Sequence, residues 1–255
     1  LPFGGGDSLP ATLVIYRSLD RPNEKLVELL LIARHARQCG IHRLILVAPY
    51  LAYMRQDIAF NDGEIVSQKI IGEFLAELFD AVITVDPHLH RISNLSEAIP
   101  RGDAIALSGA PRLADLIAER RAQPLLIGPD QESRQWVQVA ARRIGCDYGV
   151  CSKVRRGDKQ VSVALPPMDY CGRQVVLMDD VASSGRTLAR AAEALLAAGA
   201  GSVDVAVTHA LFAGDALEVL RNAGVGEIWS SDCIPHPSNV ISMAPVLAAA
   251  LTPLL

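Results

Sequence analysis

"VVLMDDVASSGRTLARAAEALL" (residues 175–196) is the stretch that decides the fold class. An apolar run ends in two acids, passes through a turn of small residues and continues with the apolar spacing of a helix. This order is typical of a buried parallel strand followed by a helix, and open α/β sheets bind ligands beyond the carboxyl ends of their strands. The stretch therefore predicts either a phosphate-binding turn at a helix N-terminus or an ordinary strand-to-helix connection capped by serine.

The same alternation runs along most of the chain. Short apolar runs such as ATLVIY (11–16) are followed by longer segments of helical period such as NEKLVELLLIARHARQ (23–38). Strands that alternate with helices predict an α/β fold of mostly parallel sheets flanked by helices. The 255 residues are enough for two domains, which we expect over 1–110 and 111–255. Two β runs around Gly157 predict a hairpin over 153–167.

Composition narrows the classes of partner. The net charge is −4, so the chain lacks the excess of basic residues that favours binding to nucleic acid or to an anionic membrane surface. We therefore expect neither as a partner. No apolar run reaches the roughly 18 uncharged residues of a membrane span. The five cysteines are odd in number and form no Cys-x-x-Cys pair, which favours reduced thiols and a cytoplasmic location.

Seven residues around the small-residue turn are candidates for binding a sugar phosphate. Two carboxylates at the end of the strand would face sugar hydroxyls or a metal, and the turn and first helical residues would hold the phosphate. The carboxylates are Asp179 and Asp180, and the turn residues are Ser183, Ser184, Gly185, Arg186 and Thr187. A cation at the first turn of a helix opposes the helix dipole, so Arg186 is favourable there if its side chain faces phosphate.

The stretch 175–196 resembles the phosphoribosyl-diphosphate motif of type I phosphoribosyltransferases and of ribose-phosphate diphosphokinases. Five further motifs resemble the diphosphokinases in their order along the chain, over roughly 11–251. They are APYLAYMRQDIAFNDGEIVSQK (48–69), VITVDPHLHRI (82–92), LIGPDQES (126–133), SKVRRGD (152–158) and VISMAPVLAAAL (240–251). The resemblance implies two phosphoribosyltransferase-like domains, the first binding ATP and the second ribose phosphate, with the last helix packing on the first domain.

The resemblance also implies the reaction and the assembly. The anomeric hydroxyl of ribose 5-phosphate would attack the β-phosphorus of ATP carrying Mg²⁺, giving AMP and 5-phosphoribosyl 1-diphosphate. The enzyme would be a homo-oligomer, either a dimer or a hexamer. Two alternatives stay open: a non-catalytic regulatory relative of such an enzyme, and a phosphoribosyltransferase.

Residue roles on the ATP side follow from the resemblance. The implied ATP-binding residues are Arg55, Gln56, Asp57 and His88, and the implied Mg²⁺ ligands are His88 and Asp130, with Asp86 and His90 as less certain companions. A planar guanidinium suits polyphosphate, and a carboxylate oxygen suits Mg²⁺. The plainer alternatives are a solvated loop charge for Arg55 and a helix N-cap for Asp130.

Lys153 is the implied catalytic residue and Arg155 its partner. The two alternate along a predicted strand, so their side chains share one face and would put two cations beside the transferred diphosphoryl group. The plainer alternative is an exposed, charged hairpin.

Four features depart from the family pattern, one of which is Ser183, where many bacterial members have aspartate and archaeal-type members have serine. Ile58 follows the RQD triplet where a basic residue is common, and the family's adenine-site segment is not recognisable around FGGGD (3–7). Arg186 stands where the diphosphokinases usually have glycine, whereas many phosphoribosyltransferases carry arginine there.

Overall fold

The protein is described by a computed structural model over residues 10–59, 61–89, 91–92, 94–156 and 160–255, with residues 153–156 and 160–162 described by their backbone alone. The chain divides into two compact units, one formed by the chain up to Leu107 together with Ala244–Leu255 and the other by Ser108–Met243. No helix in these ranges is both long enough and apolar enough to cross a membrane.

The elements alternate between strand and helix along most of the chain. The strands are β1 Thr12–Tyr16, β2 Arg43–Ala48, β3 Ala81–Val85, β4 Asp103–Leu107, β5 Leu125–Gly128, β6 Tyr148–Val150, β7 Ser152–Arg156, β8 Gln160–Ala164, β9 Gln174–Ala182, β10 Ser202–Ala210, β11 Ile228–Ser231 and β12 Asn239–Ile241. The helices are α1 Pro22–Gln38, α2 Ser67–Leu78, α3 Leu95–Ala98, α4 Ala110–Arg120, α5 Arg134–Ile144, α6 Arg186–Ala197, α7 Ala216–Asn222 and α8 Ala244–Leu251. Two 3₁₀ turns cover Gln131–Ser133 and Thr252–Leu254.

The first unit is built on a four-stranded parallel sheet in the order β1-β2-β3-β4. Helix α1 turns Leu29, Ala33 and Ala36, spaced at helical intervals, toward Leu44 and Leu46 of β2 in one buried cluster. The last helix, α8, packs against β3 and β4 of the same sheet. Because the strands are parallel, the loops that follow β2 and β3 leave the sheet at the same edge.

The second unit contains a six-stranded parallel sheet in the order β12-β11-β10-β9-β5-β6. Strand β9 lies between β10 and β5, and its residues alternate between two buried clusters. Val175 and Leu177 pack with helix α6, whereas Val176 and Met178 pack with residues of α4 and α5. Both faces of β9 are covered by helices, which explains why its sequence is continuously apolar rather than alternating.

The antiparallel pair β7 and β8 forms the hairpin that the sequence predicts around Gly157. Residues 157–159, which include the predicted turn at Gly157, lie outside the described residues. The predicted α/β architecture, with parallel sheets covered by helices, is therefore present in both units.

Candidate active site

Two adjacent carboxylates lie at the carboxyl end of β9. The Asp180 side chain is buried, and the Asp179 carboxylate accepts a hydrogen bond from the Asp180 backbone N–H at 3.0 Å. Burial, followed by the charges of Asp180 and Asp130, raises the pKa of Asp179 well above its usual value. Three carboxylates from the ends of β9 and β5 therefore share one electrostatic environment, which favours binding of a cation or of hydroxyl donors.

The turn after β9 is shaped by Gly185. This residue has φ +69°, and a Cβ there would lie 3.1 Å from the Ala216 carbonyl oxygen and 3.3 Å from Leu220 Cγ. Glycine is favoured here both by the left-handed backbone and by the close approach to α7. The turn is also held by the segment after β10, because the Ala213 N–H donates to the Ser183 carbonyl at 3.0 Å.

The start of α6 distinguishes the two interpretations of this turn. The N-cap residue is Gly185, and no side chain in the described chain caps the helix. The interpretation of this turn as a connection capped by serine is therefore wrong for this helix. Four side chains around the uncapped end are exposed, namely Ser183, Ser184, Arg186 and Thr187. Free N–H groups, exposed hydroxyls and the positive end of the helix dipole are the groups that bind phosphate.

Arg186 lies near the carboxylate of the residue that precedes helix α7. Its Nη2 lies 3.7 Å from Asp215 Oδ2, and both side chains are at least 60% exposed. An ion pair this long and this exposed contributes little free energy, so it does not hold Arg186 away from an anion.

Asp130 follows β5 and caps the 3₁₀ turn Gln131–Ser133. Its Oδ1 accepts from the Glu132 N–H at 3.1 Å, while its backbone oxygen accepts from Ser133 Oγ at 2.6 Å. This tight turn needs Gly128, because a Cβ there would lie 2.2 Å from Ser133 Oγ. The helix-cap alternative is thus realised, and the same carboxylate also raises the pKa of Asp179.

Cys151 lies beside these carboxylates and was not predicted as part of the site. It is buried, and burial with the charge of Asp130 raises the pKa of its thiol to about 12. Such a thiol stays protonated at neutral pH and is a poor nucleophile. It is therefore a packing residue. No local pattern in the sequence indicates that Cys151 lies near Asp130.

The Lys-x-Arg segment forms strand β7. In the antiparallel register Lys153 is paired with Val163 and Arg155 with Val161. Both residues therefore lie on the strand that the sequence predicts for them. Of the predicted residues near this hairpin, Gly157 and Asp158 lie outside the described residues.

The RQD triplet, in the first unit, follows β2. Arg55 is exposed, Gln56 is half-buried and Asp57 is buried. The Asp57 carboxylate accepts a hydrogen bond from Arg91 Nη1 at 2.5 Å. Arg91 was not predicted, and since it lies 34 positions away along the chain no sequence spacing could have indicated the pair.

Strained backbone also marks this edge of the first sheet. Asp86 and His88 follow β3 with φ values of +37° and +53°, and Tyr53 follows β2 with φ +66°. Non-glycine residues adopt such angles at an energetic cost, and they cluster at binding sites. His88 is half-buried, and His90 lies outside the described residues.

Comparisons with known proteins identify the family of the chain. A family model for the phosphoribosyl transferase domain matches residues 99–228, and one for the N-terminal domain of ribose phosphate pyrophosphokinase matches residues 11–78. The ribose-phosphate pyrophosphokinase of Methanopyrus kandleri is 35% identical over 95% of this chain and 83% of its own length. That of Thermococcus kodakarensis is 31% identical over 96% of this chain and 85% of its own.

A solved structure confirms the fold. The phosphoribosylpyrophosphate synthetase of Mycobacterium smegmatis superposes with a TM-score of 0.82 at 22% identity, over 95% of this chain and 81% of that chain. Pyrophosphokinase and diphosphokinase are two names for one activity, so these findings confirm the family that the motifs predict. The chain belongs to the ribose-phosphate pyrophosphokinase family, which is a family of enzymes.

Proposed function

We propose that this chain transfers the β,γ-diphosphoryl group of ATP to the anomeric hydroxyl of ribose 5-phosphate, giving 5-phosphoribosyl 1-diphosphate and AMP. The observation that carries the proposal is the uncapped start of α6 beside the Asp179 and Asp180 carboxylates, in a chain of this family. That arrangement offers donors to a phosphate and acceptors to the hydroxyls of the attached sugar.

The proposed sugar-phosphate site belongs to the second unit, residues 108–243. The 5-phosphate lies on the amides and hydroxyls of the turn 183–187, where the helix dipole favours its charge. Asp179 and Asp180 accept hydrogen bonds from the ribose hydroxyls and orient the anomeric oxygen. Arg186 is exposed and only weakly paired, so its guanidinium is available to the phosphate.

The proposed ATP site belongs to the first unit. Arg55 is the exposed cation of the RQD triplet, and its planar guanidinium suits two phosphate oxygens at once. Gln56 and His88 are the further proposed contacts. Asp57 is buried and paired with Arg91, so its proposed part in ATP binding is to shape the loop.

Catalysis in this proposal comes from positioning and charge. The anomeric oxygen forms a bond to the β-phosphorus and releases its proton to water. The bond from that phosphorus to the α–β bridging oxygen breaks, so AMP leaves with the bridging oxygen. Lys153 and Arg155 are proposed to stabilise the negative charge on the transferred group, since phosphoryl transfer needs little covalent help from a protein.

Mg²⁺ is the proposed metal, and the carboxylates fit it. Among the described residues there is no group of three metal-ligating side chains that could hold an ion unaided. Mg²⁺ is usually bound through one or two carboxylates together with substrate phosphates, so a sparse set of acids is the expected donor set. Asp130 is the proposed ligand on the second unit and His88 the candidate on the first. When bound, the ion neutralises charge on the polyphosphate.

Assembly and location are proposals of the same kind. A homo-oligomer, a dimer or a hexamer, is supported by the family resemblance and by β1, which has one strand neighbour in the described sheet and exposes Tyr16. A cytoplasmic location is supported by five cysteines that form no disulfide. Nucleic acid and membranes are not expected partners, because the net charge is −4.

The test is AMP formation in the presence of Mg²⁺. Wild-type protein should form AMP only when both ATP and ribose 5-phosphate are supplied, and Lys153→Ala should reduce the rate by roughly 10²–10³-fold. Arg142→Ala, at an exposed position of α5, is the control and should keep full activity. A wild-type protein without turnover that co-purifies with an active synthase supports the regulatory alternative. Release of diphosphate from 5-phosphoribosyl 1-diphosphate by a nucleobase supports the transferase alternative.

A further inference from the structure

We infer that Gln68 is a positioning residue that fixes the direction of Arg55 toward ATP, an inference that rests on the proposed function of the first unit. Gln68 is in the first turn of α2, and only 2% of its surface is exposed. Its side-chain Nε2 donates to the Met54 carbonyl at 2.7 Å, and its backbone N–H donates to the Gln56 carbonyl at 3.2 Å. These two carbonyls belong to the residues immediately before and after Arg55.

The surrounding loop is held at further points on both sides. Ser67 Oγ donates to the Tyr53 carbonyl at 3.1 Å, and the Asp57 carboxylate is held by Arg91 at 2.5 Å. Within residues 53–57 of the described chain, Arg55 is the exposed cation, and its side chain forms no ion pair with a described residue. The backbone that carries Arg55 is therefore restrained while its guanidinium remains available.

Helix and loop depend on one another at this point. The N-cap residue of α2 is Val66, whose side chain has no polar atom and caps nothing. The loop carbonyl of Gln56 satisfies one of the first N–H groups instead. A rigid helix thus supports a loop through a buried amide, and a binding group held in one direction loses less conformational entropy when its ligand binds.

The first experiment compares Gln68→Met with wild type. Methionine has a similar length and packs in the same space but cannot donate to the Met54 carbonyl. KM for ATP should rise roughly three- to tenfold, the range of one net hydrogen bond, while KM for ribose 5-phosphate stays unchanged. Gln68→Asn, which keeps the amide but is one methylene shorter, should raise KM for ATP as well and serves if the methionine variant does not fold. Glu77→Gln, exposed on the same helix, is the control and should change neither constant.

The decisive experiment is a double-mutant cycle with Arg55→Ala. If Gln68 acts through Arg55, Gln68→Met should no longer weaken ATP binding once the Arg55 side chain is removed. Additive effects on KM for ATP, or an equal rise in KM for ribose 5-phosphate, would show a general structural role and overturn the inference.

Binding of a hydrolysis-resistant ATP analogue, measured by calorimetry, separates this inference from the proposed function. If wild type binds the analogue but forms no AMP, the proposed function fails. The inference then still stands or falls by the effect of Gln68→Met on the affinity. If wild type binds no nucleotide, both are overturned.

Discussion

The second unit contains a candidate binding region at residues 179–187, here called the cradle, and the first unit contains another in the RQD loop. The two regions have similar positions in their sheets but are held in place by different contacts. Each lies at the carboxyl edge of a parallel sheet. The candidate groups of the cradle come from one continuous stretch, in which a strand, a glycine turn and an uncapped helix follow one another, and backbone groups of residues 213–216 pack against its turn. The RQD loop is held by two side chains from outside the loop, namely Gln68, 14 positions from Met54, and Arg91, 34 positions from Asp57.

The two regions also differ in charge. The cradle combines helix N–H groups with a concentration of carboxylates that raises the pKa of Asp179. The RQD loop turns its carboxylate inward, toward Arg91, and leaves Arg55 exposed. Acids beside amides suit a sugar phosphate, whereas an exposed guanidinium suits a polyphosphate. The candidate residues of the cradle can be recognised from one sequence motif. The side chains that hold the RQD loop in place can be identified only from the tertiary structure.

The largest expected effect tests the glycine turn of the cradle. Gly185→Ala should lower the free energy of unfolding by about 2–4 kcal/mol, because the new Cβ adds left-handed strain and crowds α7. Gly145→Ala is the matched control, since it has φ +67° and no atom within 4 Å of the added Cβ. Chemical denaturation of both variants should show a smaller loss at Gly145, and only Gly185→Ala should raise KM for ribose 5-phosphate. Equal losses would mean that the close approach to α7 has no effect.

A second effect tests the distant support of the RQD loop. Arg91→Ala should lower the free energy of unfolding by about 1–3 kcal/mol, because it leaves the nearly buried Asp57 carboxylate without its cation. Arg43→Ala breaks an exposed pair with Asp103 at 3.5 Å in the same unit and should lower it by less than about 1 kcal/mol. Adding Asp57→Asn to Arg91→Ala should recover part of the loss. No recovery in denaturant titrations would contradict the pairing.

A third prediction concerns pH and the carboxylates of the cradle. Burial and neighbouring charges raise the pKa of Asp179 above its unfolded value, so the folded chain loses stability as pH rises and this group ionises. Asp179→Asn cannot ionise, and its melting temperature should exceed that of wild type by a margin that grows between pH 4 and pH 8.

The control for this prediction has the opposite sign. A hydrogen bond from Arg143 lowers the pKa of Asp115, which stabilises the folded chain above the unfolded pKa. Asp115→Asn should therefore lose melting temperature relative to wild type as pH rises. Thermal melts of both variants and of wild type across this pH range check the prediction. It is contradicted if the melting temperatures of both variants, relative to wild type, change in the same direction as pH rises.

The smallest expected effect concerns Arg186. Arg186→Gly should raise KM for ribose 5-phosphate about two- to fivefold, since an exposed guanidinium contributes modestly to phosphate binding. Asp215→Asn removes its weak partner and should leave that KM unchanged or lower it slightly. Steady-state kinetics on the two variants separates the roles, and an unchanged KM in Arg186→Gly would assign the side chain to the surface.

Much of the fold and of the cradle was predictable because the signals are local. A continuously apolar strand followed by acids and small residues predicts β9, its turn and α6, and the alternation of periods predicts parallel sheets. The bounds were less predictable, and strand β9 continues through Ala182, two residues beyond the predicted acids. The role of Asp130 as a cap of a 3₁₀ turn was foreseen as an alternative, but its electrostatic effect on Asp179 was not.

The sequence by itself determined the α/β class, the family and the chemistry of the residues that follow each strand, because periodicity and motifs are properties of short segments. Only the tertiary structure decided which of those residues are supported and by what. Asp57 is buried against Arg91, and Met54 and Gln56 are held by Gln68. The physical reason is that hydrogen bonds and burial depend on separations in space, which side chains far apart in the chain acquire only when the sheet and its helices have packed.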